Sequence, residues 1–139
     1  TTYNTAGKVV EDIKMKTNED KIKHKTVRTY EADTLLTSEI DYYKGTKVEE
    51  SQLNYRPDGT LEEKRTKKYH STGKFRYTIV IEYNRKGKVV SEKQLAGKRT
   101  LSLVEYNYNE HGFLKEIRFF KNSGTPFERK IYEYSYYTK

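Results

Sequence analysis

Phe75-Arg76-Tyr77-Thr78-Ile79-Val80-Ile81-Glu82-Tyr83-Asn84-Arg85-Lys86-Gly87-Lys88-Val89 is the stretch on which the reading of this sequence turns. Its first nine residues alternate. Phe75, Tyr77, Ile79, Ile81 and Tyr83 fall on one side, and Arg76, Thr78, Val80 and Glu82 on the other. Period-two alternation in β-branched and aromatic residues marks a strand. Tyr83 closes it, and Asn84-Arg85-Lys86-Gly87 has the chemistry of a type I turn, with Asn first and Gly fourth. A glycine there can take the left-handed conformation that lets a bulged hairpin close, and Val89 starts the returning strand.

The frame recurs. Tyr108-Asn109-Glu110-His111-Gly112-Phe113-Leu114, Tyr3-Asn4-Thr5-Ala6-Gly7-Lys8-Val9 and Tyr55-Arg56-Pro57-Asp58-Gly59-Thr60-Leu61 align with it. Tyr30-Glu31-Ala32-Asp33-Thr34-Leu35 is a degenerate copy without the glycine, and Tyr134 stands where a sixth would begin. The successive tyrosines lie 27, 25, 28, 25 and 26 residues apart, a repeat of about 26. Halfway along each repeat comes a second turn, at Asn18-Glu19-Asp20, Gly45, Gly73, Gly97 and Gly124, so all eight glycines fall on expected turns. These turns leave about ten strands, and hairpins this short make neighbours antiparallel. No segment sustains a helical period.

Alternation continues after Gly112, with Phe113, Ile117 and Phe119 on one side and Leu114, Glu116, Arg118 and Phe120 opposite. Near the end Tyr132, Tyr134 and Tyr136 share a face, and Phe127 and Ile131 share the other. Between Thr46 and Tyr69 only Val48, Leu53, Tyr55, Leu61 and Tyr69 are bulky and apolar. A sandwich needs inward apolar residues from every strand, which this stretch does not supply. The expected fold is therefore all-β: a single domain over residues 1–139, an antiparallel meander of about ten strands in one twisted, curled, largely open sheet. Packing should be better towards residues 75–137 than around 46–69. A closed barrel or sandwich is the alternative. Lys14, Lys16, Lys21, Lys23 and Lys25 would blunt edge pairing near the N-terminus, whereas the aromatic C-terminal edge could support self-association.

Composition bounds the function. Leu, Ile, Val and Phe make only 28 of 139 residues, close to the level of a disordered charged chain, but 14 tyrosines at regular intervals argue for folding. Net charge is +8, with 20 acidic residues interleaved among 28 basic ones, a pattern suited to cross-strand pairing on a solvated sheet. No cysteine is present, which excludes disulfides and thiolate metal sites. No apolar run reaches the length of a membrane helix. The opening Thr1-Thr2-Tyr3-Asn4 suits a mature or trimmed chain.

The search for chemistry returns little. His24, His70 and His111 lack metal-site spacing and read as surface residues. Glu49-Glu50 and Glu62-Glu63 are adjacent, so on a strand each pair points to opposite faces and cannot share one substrate. No nucleophile elbow, phosphate loop or dinucleotide fingerprint occurs, and neither catalytic residue, metal nor cofactor is expected. The better candidates are Tyr106, Tyr108, Tyr132, Tyr134 and Tyr136, which could form a rigid amphipathic row against protein or sugar, or serve as core in a leucine-poor sheet. Lys64, Arg65, Lys67 and Lys68 form the densest basic run; no nucleic-acid module accompanies it, so nucleic acid is not the expected partner.

The Tyr-Asn-x-x-Gly-Lys-Val and Tyr-Asn-x-x-Gly-Phe-Leu units resemble the YD repeats of RHS-type proteins, a Tyr-Asp-x-x-Gly-Arg-Leu-like hairpin with Asn here in place of Asp. The chain also resembles small exported domains from Gram-negative gut anaerobes. The resemblance implies a secreted, periplasmic or cell-surface β-repeat. On this reading the chain is a non-enzymatic domain binding protein or glycan through its tyrosines. A spacer or scaffold, or a polyanion-binding module, is the alternative.

Overall fold

The structure, a computed structural model, describes residues 1–15, 22–32, 34–121 and 125–135. Eleven strands lie among them: β1 (Thr2–Tyr3), β2 (Val9–Met15), β3 (Ile22–Glu31), β4 (Leu35–Tyr43), β5 (Thr46–Tyr55), β6 (Leu61–Tyr69), β7 (Phe75–Tyr83), β8 (Val89–Ala96), β9 (Arg99–Tyr108), β10 (Leu114–Lys121) and β11 (Glu128–Ile131). They form one sheet in sequence order, antiparallel throughout, with β1 and β11 at its two edges, so the sheet does not close. The open meander is the expected fold. The count exceeds ten by the two-residue β1. The turns placed at Asn18-Glu19-Asp20 and Gly124, like Lys16 and Lys21, lie outside the described residues. Lys25 is on the interior strand β3 rather than at an edge, and it bridges to Glu11 at 3.2 Å.

The turns obey the sequence closely. At Asn84 the backbone N–H donates to the Lys88 carbonyl at 2.8 Å and the Gly87 N–H donates back to the Asn84 carbonyl at 3.0 Å. This is a three-residue loop, a type I turn followed by a left-handed residue. Gly87, at φ +80°, supplies that left-handed residue where a side chain would be strained. The Asn84 side-chain oxygen accepts from the N–H groups of Lys86 and Lys88, both at 3.0 Å, which is why asparagine opens the motif. Asn4 and Asn109 repeat this pattern. The Arg56 loop keeps the backbone closure, and Asp58 takes over the side-chain role by accepting from the Thr60 N–H at 2.9 Å.

The halfway turns come in two kinds. Lys44-Gly45 is a two-residue loop with φ +48° and +81°, as a type I′ turn requires, and Gly97-Lys98 is also two residues long. His70-Ser71-Thr72-Gly73-Lys74 instead copies the three-residue loop of the main motif. That one difference has consequences for register.

Four repeat tyrosines share one hydrogen bond. Tyr30, Tyr55, Tyr108 and Tyr134 donate their hydroxyls to the carbonyls of Val9 (3.0 Å), Leu36 (2.7 Å), Val89 (2.5 Å) and Leu114 (2.6 Å). Each acceptor follows the tight turn on the neighbouring strand, where the register shift leaves the ladder irregular. Tyr83 does not make this bond. Carrying the Ser91–Glu105 pairing onward brings Val89 opposite Asn107, so Tyr108 stands one residue past its acceptor. Carrying the Glu63–Glu82 pairing onward brings Leu61 opposite Asn84, so Tyr83 stands one residue short. The slip of two comes from the 28-residue repeat, longest of the five, with its extra-long halfway loop. Arg56 fills the vacated place: its guanidinium donates to the Leu61 carbonyl at 3.0 Å and to the Tyr83 carbonyl.

A single layer cannot hide a core. Val80 and Phe120 are the only buried apolar residues among those described, and no described side chain is completely enclosed. Val80 lies between Arg65 and Lys93 in register, where long aliphatic stems can cover it. Both buried apolar residues lie in the stretch 75–137 expected to pack better, but the stretch 46–69 is not bare. Ser51 and Thr66 in that stretch are buried and share a 2.9 Å hydroxyl hydrogen bond, whereas Phe113, Phe127, Ile131, Tyr132 and Tyr134 remain exposed towards the C-terminus. Small residues between long neighbours are covered by them; large residues at a sheet edge have nothing to cover them.

If the phenol-to-carbonyl bond holds hairpins together, Tyr108→Phe loses about 1 kcal/mol of stability in urea titration, while Tyr83→Phe loses less than about 0.5 kcal/mol. Equal losses would show that the bond contributes nothing specific.

Candidate functional site

The structure places the tyrosines expected to act together two strands apart. Tyr106 and Tyr108 are on β9, Tyr132 and Tyr134 follow β11, and β10 runs between the two groups, with Ile117 opposite Tyr106. Tyr136 lies outside the described residues. Tyr108 is latched, with the Lys88 ammonium 5.1 Å from its ring centre. Tyr134 is latched too, and its ring lies against Phe113 with centroids 5.3 Å apart. The Tyr132 backbone N–H donates to the Lys115 carbonyl at 2.9 Å, and its ring is exposed. Of this group, Tyr106 is the half-buried tyrosine whose hydroxyl has no partner among the described residues.

The basic run divides. Lys64 and Lys68 point to one face and Arg65 and Lys67 to the other, as strand alternation dictates. Lys68 pairs with Glu49 at 2.7 Å and Arg65 with Glu63 at 3.2 Å, while Lys67 sits opposite Glu50. Glu50 accepts from Lys47 at 2.9 Å and from the Tyr69 hydroxyl at 3.2 Å. The Lys47 hydrogen bond holds the Glu50 carboxyl below its ordinary range. Among the described residues no three His, Asp or Glu side chains are grouped to hold a metal ion. His24 stacks near Tyr43 with centroids 5.0 Å apart, and His111 lies 3.5 Å from Glu110.

Glu31, Glu62, Glu82, Glu92, Glu128 and Glu133 make no ion pair among the described residues, and of these Glu92 is the one set at mid-strand among uncharged neighbours. Glu92 is exposed on β8 and makes neither a hydrogen bond nor an ion pair with any described residue. Ile81 on β7 and Val104 on β9 flank it directly in register. Ile79 and Tyr83 lie diagonally on β7, and Ser102 and Tyr106 on β9. Val90 and Gln94 are two residues away along its own strand. Every neighbour is uncharged. The nearest basic residue in its row is Lys64, opposite Ile81 on β6 and so two strands, about 9.5 Å, away. Glu92 is nevertheless felt by both phenols: burial is the larger cause that raises Tyr83 and Tyr106, and the Glu92 charge adds to it. The folded state favours the neutral phenols. That contribution is complete below their ordinary value of 10.0 and is lost as pH rises through the raised values.

Sequence reasoning named Tyr106 but missed Tyr83 and Glu92. Two signals were available: the 28-residue interval and the arginine at position 56 where three other copies carry asparagine. Together they mark the one hairpin whose tyrosine is not needed as a latch.

Fold and site define an open, single-sheet β-meander of tandem hairpin repeats with an aromatic and acidic cluster on one face of β7–β9. No protein-family model and no curated protein matches the sequence. Among solved structures, the chain is similar to the crystal structure of TcdB2-TccC3 without its hypervariable C-terminal region, at 16% identity and a TM-score of 0.35. The match covers 85% of this chain and 7% of that one.

Glu92→Gln removes the nearby charge without altering shape, so Tyr83 and Tyr106 should ionise at lower pH than in the unsubstituted protein, while Tyr55, raised by burial alone, should not move. A residue-resolved NMR titration of the tyrosine rings checks this; an unshifted Tyr83 and Tyr106 would mean that Glu92 does not act on them.

Proposed function

We propose that the chain is a non-enzymatic, exported β-repeat domain of the YD kind that binds a protein or glycan partner through the tyrosine-bearing face of β7–β9. The observation that carries this reading is surface. The chain exposes 10107 Å², where a compact protein of 16.5 kDa exposes about 7,500 Å². The excess is about three times the roughly 800 Å² that one partner contributes to a standard interface, so one sheet face has room for a partner. Export follows from the likeness of the Tyr-Asn-x-x-Gly units to YD repeats. Binding is favoured over catalysis because carboxylates such as Glu49, Glu50 and Glu63 are held in ion pairs that strengthen the sheet.

Tyrosine suits the role. Its ring gives a large rigid contact with few rotatable bonds, and a free hydroxyl adds a polar handle. Tyr83 and Tyr106 have both features, because neither hydroxyl is used to hold the sheet and no cation covers either ring. A spacer is the second reading. It is favoured by the pairing of every strand with its sequence neighbours alone, which makes a one-dimensional structure that can be extended without a ligand. A polyanion contact is less well supported, since the basic run is split between faces and partly paired.

Glycan arrays and immobilised-protein capture should give a signal with the unsubstituted chain that falls at least about tenfold in the folded Tyr83→Ala/Tyr106→Ala variant. Capture unchanged by the double substitution would remove this face from the function, and no capture of either class would leave the spacer.

A further inference from the structure

Several exposed carboxylates lack a counter-ion among the described residues, but Glu92 alone of these sits at mid-strand with only uncharged neighbours. The chain carries 28 basic residues, and the cross-strand partners of Glu11, Glu39 and Glu49 include one each: Lys25 at 3.2 Å, Arg28 at 2.7 Å and Lys68 at 2.7 Å. Around Glu92 the pattern is inverted. Its direct neighbours are Ile81 and Val104, its diagonal neighbours include two phenols, and no cation reaches it. Within the sheet such a placement forgoes the stabilisation that an opposite charge would give.

The phenols are available for the same reason. Tyr83 is freed by the two-residue slip of its hairpin and by Arg56, which occupies the carbonyl that the hydroxyl would otherwise take. Tyr106 precedes the latched Tyr108 by two residues and so shares its face while having no latch of its own. No lysine or arginine covers either ring, in contrast to Tyr108, Tyr69 and Tyr77, each of which has a cation within 6 Å of its centre. The two rings stand on β7 and β9 on either side of β8, about 9.5 Å apart at the backbone, with Val90 level with them and Glu92 two residues further along β8, diagonal to both.

We propose that Tyr83, Glu92 and Tyr106 form a receptor for an arginine side chain presented by a partner polypeptide. This deepens the binding reading given above and rests on it. The chemistry is complementary in three respects. The carboxylate accepts two N–H donors from a planar guanidinium. The phenol faces attract a cation, and a guanidinium is preferred over an ammonium because it is planar and more weakly hydrated. Ile79, Ile81 and Val104 provide apolar contact for residues flanking the arginine. The partner is therefore an extended or loop segment with an arginine between apolar side chains. A glycan would use the rings without needing the charge.

The probe is the peptide acetyl-Ala-Leu-Arg-Leu-Ala-amide, with a second peptide carrying citrulline, the uncharged isostere, in place of arginine. Titrated into the full chain and followed by NMR, the arginine peptide should shift the signals of Tyr83, Glu92 and Tyr106. The citrulline peptide, and the arginine peptide with Glu92→Gln, should each bind at least about tenfold more weakly. Glu92 is exposed and unpaired, so the substituted chain keeps its fold, which its thermal transition verifies. Binding of citrulline and arginine peptides alike, affinity unchanged in Glu92→Gln, or shifts confined to other strands would each overturn the proposal. If the arginine peptide fails while capture of protein or glycan still depends on Tyr83 and Tyr106, the binding face stands and the arginine receptor falls. If both fail, the broader reading falls with it.

Discussion

The hydrogen bond from a repeat tyrosine to the carbonyl just past the neighbouring tight turn ties this sheet together at one rim. A β-bulge leaves a backbone group out of the ladder, and an unpaired buried carbonyl is costly. The phenol answers that requirement from the adjacent strand, and its ring covers the turn on the way. The bond recurs at Tyr30, Tyr55, Tyr108 and Tyr134, each 25 to 27 residues after the preceding repeat tyrosine, and aligns one hairpin with the next. Much else follows from it: the tyrosine closes a strand because it must stand beside the next turn, and the spacing of the repeat is limited by the reach of the side chain.

Where the spacing exceeds that reach, the structure changes the donor rather than the acceptor. The third repeat is too long by its extra loop residues, and Arg56 takes the carbonyl in place of Tyr83. Its Asp58 simultaneously takes the role of the missing turn asparagine. Two substitutions in one motif copy thus have one cause. The rim is further joined by Lys88, which donates to the Gly112 carbonyl, and by Arg85 and Asp58 at 3.8 Å. Successive turns therefore touch, although each strand pairs only with its sequence neighbours.

A single sheet has no second layer, so it cannot use burial as a two-layer domain does. Stability has to come from ladder hydrogen bonds, cross-strand pairs and partial cover by long side chains. This explains the composition: threonine, tyrosine, lysine and glutamate are efficient on a half-wet pleated surface, and leucine is not required. It also explains why alternation between polar and apolar residues is strong near residues 75–83 and weak near 60–68. Both faces of the sheet meet water, and neither face is obliged to be uniformly apolar.

Local sequence alone was enough for strands β2 to β11, the turns among the described residues and their order. Alternation and the Tyr-x-x-x-Gly frame are local signals, and a meander needs only local pairing, so nothing distant had to be inferred. The thinness of the apolar content between Thr46 and Tyr69 likewise sufficed to favour an open sheet. Register was the part that stayed hidden. A two-residue slip keeps every side chain on its own face, so it leaves no trace in the alternation, yet it decides which tyrosines are latched and which are free. Tyr108 heads the same Tyr-Asn-x-x-Gly unit as Tyr83 and differs in what lies opposite. The isolation of Glu92 is hidden for the same reason: whether a charge has a counter-ion depends on residues 11 and 12 positions away along the chain, brought beside it by hairpin geometry. The recurring tyrosine was therefore legible as architecture, while its division into fasteners and candidate contacts was decided only when the strands were set side by side.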